Sequence, residues 1–418
     1  KVLARLLLNR LHDKICSAVL PESQSGFRPG RGTTDMVFSA RQVQEKCIEQ
    51  HVPLYQVFVD LTKAFDTVNR EALWVVLCKA GCPPKFVNMF KQLHNGMTSR
   101  VAFSGNLSEA FPVENGVKQG DVAAPTLFSI FFSALLTDAF QNCDKGILIE
   151  FRSTGRVFNL RRFSFQSKTC QAVVRELLYA DDIVFMTHSE GDMQHVMNRF
   201  SASCSSFGLS INLAKTKIMY TPAPGETYIA PNIVVSGSRL ADVETFVYLG
   251  SVLSRDGSLD AEIHLRIKKA SVAFGSLEKR VWADRGLTRS AKISVYKACV
   301  VSVLLYSCEC WTLHRRHIKL LERLHQRCLR RILNIKYHLK IPDAEVLALA
   351  SCVSVESMVM SSQMRWVGHV VRMEDFRIPK QLCNGQLKEG KRPSHKPRKR
   401  YKDNIKCNLK QMKIDERT

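Results

Sequence analysis

Residues 176–186 read ELLYADDIVFM, two short apolar runs joined by a turn that carries Asp181 and Asp182 side by side. Apolar, β-rich runs on both sides of a tight turn predict a hairpin of two buried strands. Upstream, residues 55–60 read YQVFVD, a third buried-strand pattern, which ends on Asp60. A carboxylate at the end of a buried strand is costly unless it meets a cation. If the strand ending at Asp60 neighbours the hairpin, three carboxylates converge at one end of a sheet. Hard oxygen ligands of this kind suit magnesium, which binds one or two carboxylates together with substrate phosphates. Two such ions about 4 Å apart would activate a hydroxyl and stabilise a leaving pyrophosphate. Because strand side chains alternate, only one of Asp181 and Asp182 need ligate strongly. A lone Asp is more often a turn or cap residue; the pair between apolar strands, with a third acid upstream, favours a metal site.

The rest of the chain surrounds this hairpin with recognisable punctuation. Residues 1–20 follow an amphipathic helical pattern that is already under way at Lys1, so the chain is expected to be a fragment with upstream domains missing. A Gly- and Arg-rich loop, QSGFRPGRGTTD, covers residues 24–35, and Asp35 is expected to cap the helix after it. Helices are predicted over 69–80, within the apolar run LFSIFFSALL, and over 193–207. Residues 147–165 look like a polar hairpin turned near 153–155, and residues 246–257 like another. From Asp260 to about Val371 the pattern is almost wholly helical. Residues 388–402, KEGKRPSHKPRKRYK, are basic and contain Pro; they are expected to be disordered or to fold only on a partner.

Composition narrows the partners. The 418 residues carry 61 Lys+Arg against 38 Asp+Glu, a formal net charge of +23, and 45% are hydrophobic. That is a globular composition with a polyanion, nucleic acid or an anionic membrane, as the expected partner. Residues 361–418 hold 16 Lys+Arg and 6 Asp+Glu, so the excess is concentrated there. The longest apolar stretch, residues 122–136, includes Pro125, Thr126, Ser129 and Ser133 and is too short to span a bilayer. Fourteen cysteines without a C-x-x-C pair read as reduced thiols of an intracellular protein. Cys308, Cys310, His314 and His317 invite a zinc reading, but their spacing is not that of a finger and they fall in an apolar helical pattern.

Tyr179-Ala180-Asp181-Asp182 resembles the YxDD signature of reverse transcriptases, and further blocks of that family follow in order. Residues 24–35 resemble the fingertip block that holds the incoming triphosphate. FVDLTKAFDTVNREALW resembles the first catalytic block, NGVKQGDVAAPTLFSIFFSALL the block lining the nucleotide pocket and template, GLSINLAKTKIM the block after the catalytic hairpin, and FVYLGSVLSRDG the primer-grip hairpin. The match is best to non-LTR (LINE-like), RTE-like elements, and QMRWVGH at residues 363–369 looks like their C-terminal part. The resemblance implies an α/β (α+β) right-hand polymerase. Residues 1–258 would be fingers and palm, with an antiparallel sheet plus helices. A helical thumb would follow at 259–340, then a basic nucleic-acid-binding region at 341–418.

It also implies roles: Asp60, Asp181 and Asp182 as catalytic acids and ligands of two Mg2+ ions, or of Mn2+. Phe65 would be a steric gate against a ribose 2′-hydroxyl, or else an ordinary core ring. Gln119 and Gly120 would lie against template and base. Arg28 and Arg31 would contact the triphosphate, unless they belong to a surface loop. Lys215, with Lys217 as rival, would lie near the pyrophosphate, and Tyr248, Leu249 and Gly250 would form the primer grip. RNA template, DNA primer or target and dNTPs are the implied partners, with no membrane. An upstream endonuclease domain usual in the family is expected to be missing here, and nucleus and cytoplasm are the expected locations, residues 396–402 being either a nuclear signal or a phosphate-binding tail.

One departure stands out: Asp121 and Ala123 occupy positions that the family fills with a small or apolar residue and a Leu. A drifted or domesticated copy that binds RNA or DNA without polymerising is therefore the alternative. An RNA-dependent RNA polymerase is a third reading, disfavoured by Tyr179, Ala180 and Phe65.

Overall fold

The computed structural model describes residues 2–16, 19–118, 120–152, 169–393 and 398–413. It divides into two compact units, one of residues 1–36, 52–149 and 171–243, the other of residues 37–51, 150–170 and 244–418. Among the described residues no helix is long and apolar enough to cross a membrane.

The first unit is built on a five-stranded sheet. In chain order its strands are β1 (Leu54–Val59), β2 (Glu176–Tyr179), β3 (Asp182–Thr187), β4 (Lys217–Thr221) and β5 (Ala241–Asp242), and their spatial order is β5-β4-β1-β3-β2. β1 runs antiparallel to both neighbours, with Val59 opposite Ile183 on one side and Phe58 opposite Lys217 on the other. Every residue of β1 except Tyr55 is buried, as a central strand covered on both faces requires.

Helices supply the cover. α1 (Val2–Leu11) opens the unit, and α2 (Thr33–Gln50) starts in it and continues into the second. α3 (Arg70–Lys79), α4 (Pro84–His94) and α5 (Ala124–Phe140) follow β1, and α6 (Glu190–Ser206) follows β3. α5 is apolar nearly all round and almost entirely buried. Phe128, Phe132, Phe185 and Phe200 interlock between it, β3 and α6, with Phe185 and Phe200 edge-to-face at 4.9 Å. Asp121 has a structural use just before α5, where its Oδ2 accepts from the Ala123 amide at 3.2 Å; an acid there suits the positive end of the helix dipole.

The second unit is mainly helical. The hairpin β6 (Thr245–Tyr248) and β7 (Ser251–Ser254) is followed by α7 (Asp260–Ser276), α8 (Arg289–Tyr296), α9 (Arg315–Ile332), α10 (Val355–Arg372) and α11 (Tyr401–Gln411). Two expectations from the sequence do not hold. Asp35 does not cap α2 from outside: the helix starts at Thr33, and Asp35 reaches back to accept from the Gly32 amide at 2.8 Å.

The segment 388–402, expected to be disordered or to fold only on a partner, packs against the rest of its own chain throughout its described part. Gln50 donates to the carbonyls of Leu387 at 3.1 Å and Glu389 at 2.9 Å. Arg392 and Arg400 both pair with Glu49, at 2.9 and 3.2 Å. Tyr401 and Ile405 are buried against Phe38 and Trp366. Composition showed only the cations, not the carboxylates Glu49 and Asp403 that meet them. Gln363, from QMRWVGH, is fully buried and holds this region together: it donates to the Cys308 and Trp311 carbonyls and accepts from Asn404 and Asn408. The hairpin expected over 147–165 falls largely outside the described residues.

Candidate active site

The β1–β3 register carries Asp60 to the position opposite Asp182, one step beyond the Val59–Ile183 pair. Tyr179 and Asp182 form the last pair of the β2–β3 hairpin, so Ala180 and Asp181 make a two-residue turn. The three carboxylates thus belong to one end of the sheet. They act on one another electrostatically. Burial, then Asp60, raises the pKa of Asp181. Burial, then repulsion from Asp181 and Asp60, raises Asp182 to about 6. Asp182 is still exposed to solvent, and a bound cation could reach it from that side.

The block after the hairpin fastens Asp60. Asn212 donates its amide to the Asp60 carbonyl at 2.8 Å, Thr216 Oγ1 accepts from the Asp60 amide at 3.3 Å, and Lys215 Nζ stands 3.6 Å from Asp60 Oδ2. Lys215 is mostly exposed, so this pair is loose.

These donors fit a hard divalent cation: they are carboxylates only, two of them with pKa values raised by burial and by the neighbouring acids. Among the described residues no three His, Cys, Asp or Glu side chains are already gathered into a cage. Like charges repel and the Lys215 ammonium already partners Asp60, so a tight cage needs a cation to draw it in. The four residues of the zinc reading are engaged elsewhere. Cys308 and Cys310 are buried in apolar clusters. His317 Nε2 is 3.1 Å from Asp260, and its Nδ1 accepts from the His314 amide.

The remaining expected residues divide. Phe65 is partly buried, stacked on Phe128 at 4.5 Å with planes 24° apart. Arg28 lines a cleft of about 610 Å3 together with Arg5, His12, Phe27 and Tyr179, and donates to the Pro21 carbonyl at 2.8 Å. Arg31 lines the same cleft, but its side chain is only 10% exposed and is paired with Glu22, so it braces the loop. Gly120 takes a left-handed conformation with open space around it. Gln119 lies outside the described residues. Tyr248, Leu249 and Gly250 form the turn of the β6–β7 hairpin in the second unit. Leu249 and Gly250 both have positive φ, as a tight primed turn requires. Arg266 grips that turn from α7 through the Gly250 carbonyl, and Tyr306 does so through the Leu249 carbonyl. Sequence reasoning passed over Gln24, the first residue of its own fingertip block, which is fully buried.

A raised carboxylate pKa has a measurable consequence. Without metal, Asp182 in the folded chain favours its neutral form, so its contribution to stability is present below its ordinary carboxylate pKa and lost as pH rises through about 6. A cation needs the ionised form. Mn2+ affinity, measured by calorimetry, is expected to rise steeply as pH climbs through that value and to level off above it, while urea melts of the metal-free protein run the other way over the same interval. A flat affinity profile would remove Asp182 from the site.

A family model described as reverse transcriptase (RNA-dependent DNA polymerase) matches residues 1–253. The chain is 25% identical over 361 residues to the RNA-directed DNA polymerase from mobile element jockey of Drosophila funebris, covering 82% of this chain and 36% of that one. It is 24% identical over 322 residues to the putative 115 kDa protein in type-1 retrotransposable element R1DM of Drosophila melanogaster, covering 74% and 27%. Among solved structures, telomerase from Candida tropicalis in complex with the TWJ fragment of telomeric RNA aligns with a TM-score of 0.43 at 12% identity, covering 91% of this chain and 56% of that one. The chain spans about a third of the length of the curated relatives it matches.

Proposed function

The chain belongs to the reverse transcriptase family, with non-LTR retrotransposon polymerases among its relatives, and on that premise we propose that it copies RNA into cDNA by two-metal nucleotidyl transfer. The observation that carries this is the placement of Asp60, Asp181 and Asp182 at one end of the five-stranded sheet, on the antiparallel strands β1, β3 and β2 and their turn. Those three acids would hold two Mg2+ ions, or Mn2+. Bound there, the ions would activate the primer 3′-hydroxyl and stabilise the pyrophosphate it displaces from a dNTP. Lys215, held only loosely by Asp60, would be placed to neutralise or protonate the pyrophosphate. Arg28 offers a guanidinium to phosphate from the cleft it lines, with Arg31 holding the loop through Glu22. Phe65, backed by Phe128, presents a rigid edge against a 2′-hydroxyl. The test is primer extension on an RNA template with Mg2+, dNTPs against rNTPs; extension with dNTPs alone supports the reading, and equal use of rNTPs overturns it.

Asp121 accepts from the Ala123 amide just before α5, a structural use that supports the polymerase reading over a drifted, binding-only copy. Binding and polymerising remain separable by experiment. α9 exposes Arg315, Lys319, Arg323, Arg327 and Arg331, four residues apart in a row that rises about 6 Å per step and winds slowly round the helix. Arg315 and Arg331 pair with Glu356 and Glu278, leaving the middle three for phosphate. Reversing the charge of Lys319, Arg323 and Arg327 together should weaken template–primer binding and flatten its log–log salt slope by about 2 to 3. An unchanged slope would show that this face is merely solvated. Residence in nucleus and cytoplasm follows from the proposed substrates and is part of the proposal.

A further inference from the structure

The acidic turn is built from an unfavourable residue. Ala180 has φ +58, a left-handed conformation that a primed hairpin turn usually gives to Gly, Asn or Asp. Its backbone is nevertheless fully satisfied, and by a single side chain. Gln24 Oε1 accepts from the Ala180 amide at 3.0 Å, and Gln24 Nε2 donates to the Ala180 carbonyl at 3.2 Å. The same Oε1 accepts from the Gly26 amide at 2.9 Å. Gln24 is fully buried, and its segment lies along β2: the Ser25 amide donates to the Leu178 carbonyl, and the Leu178 amide to the Ser23 carbonyl, both at 2.9 Å.

We propose that Gln24 is the positioning residue of the catalytic turn: its carboxamide closes on both backbone groups of Ala180, holds that residue left-handed, and so fixes where Asp181 and Asp182 present their carboxylates. Only a carboxamide of this length both donates and accepts at such a spot. Glutamate lacks the donor, asparagine is one methylene short, and leucine offers neither. The proposal deepens the polymerase reading and rests on it for the role of the acids, but not for the clamp itself.

The experiment compares the full chain as wild type, Gln24→Ala, Ala180→Gly and the double variant. Three readouts are taken: hydrogen–deuterium exchange of the 177–186 segment without metal, Mn2+ binding by electron paramagnetic resonance, and kcat and KM for primer extension. Gln24→Ala should speed exchange and weaken Mn2+ binding, each about tenfold, and lower kcat about tenfold to a hundredfold with little change in the KM for dNTP, since a buried backbone pair loses its partner. Glycine adopts the left-handed turn unaided, so the Gln24→Ala penalty should shrink at least about threefold in the Ala180→Gly background, the sign of direct coupling. Equal penalties in the two backgrounds, or an undisturbed turn in Gln24→Ala, overturn the proposal. If Gln24→Ala does not fold, Gln24→Glu keeps the volume and the acceptor; faster exchange of the same segment is then expected, and wild-type exchange overturns the proposal. A wild type that extends no primer, with the clamp effects on exchange and Mn2+ intact, would fail the polymerase reading and leave the clamp standing.

Discussion

Replacing Asp181 with asparagine should abolish RNA-templated extension, by about a thousandfold or more, while leaving the protein at least as stable as before. The first half follows from the proposed role: a neutral amide removes the charge that would hold the cations over the primer hydroxyl, and metal-assisted displacement has no substitute for it. The second half follows from the electrostatics. Burial and Asp60 already disfavour the ionised Asp181, so at neutral pH the metal-free fold carries an uncompensated charge that the amide relieves. A collapse of the fold would lower activity and stability together; loss of chemistry alone lowers only the first. Asp60→Asn should lose extension to the same degree, and the double variant should be little worse in activity than either single one, because the acids act as a unit. Extension retained within about tenfold of wild type in Asp181→Asn, followed by gel under saturating Mg2+, would sink the assignment.

Gly26→Ala should be among the most damaging single-methyl additions in the chain. A Cβ built at Gly26 would lie 2.2 Å from the Ala180 nitrogen and 2.9 Å from the Tyr179 carbonyl carbon. Both are backbone atoms at the acidic turn, so no side chain can rotate aside. Either the 23–26 segment leaves β2, breaking its two backbone hydrogen bonds, or the turn itself shifts. Overpacking with loss of buried hydrogen bonds costs about 2–5 kcal/mol. The thermal midpoint should fall by several degrees and extension should be lost. Gly30→Ala is the natural control: Gly30 has positive φ, +70, but nothing lies within 4 Å of a Cβ there, so only the conformational cost of about 1–2 kcal/mol applies. Equal melting of the two variants would show that the backbone approach at Gly26 is not a constraint on the fold.

The parts legible in the sequence were those encoded by local pattern. YQVFVD and ELLYADDIVFM became adjacent antiparallel strands because β-branched and aromatic runs with turn residues between them leave few other choices. LFSIFFSALL became a buried helix because an apolar run of that length has no polar face to show to water. What stayed hidden depends on distant partners. Even Glu22, nine residues upstream, is not marked by any pattern as the partner of Arg31. Lys402 sits in a segment that looks solvent-loving, yet burial pulls its pKa down to about 8. Gln24 is 156 residues from Ala180, and no periodicity links a loop glutamine to a hairpin turn. The one clue was local: an alanine at the turn of a two-residue hairpin needs outside help.

The Tyr401 amide donates to Glu45 across a sequence separation of 356 residues, and this has a consequence for how the chain is made. At 5–20 residues per second, α2 leaves the ribosome roughly 20–70 s before α11 can reach it. Through that interval a nascent chain displays Val37 and Phe38 on an apolar helix face whose partners Trp366, Tyr401 and Ile405 are still to be synthesised. A messenger that stops short of Trp366 would therefore yield a product that never closes, one recognisable to chaperones and proteases by that open face rather than by any fault in the acidic turn.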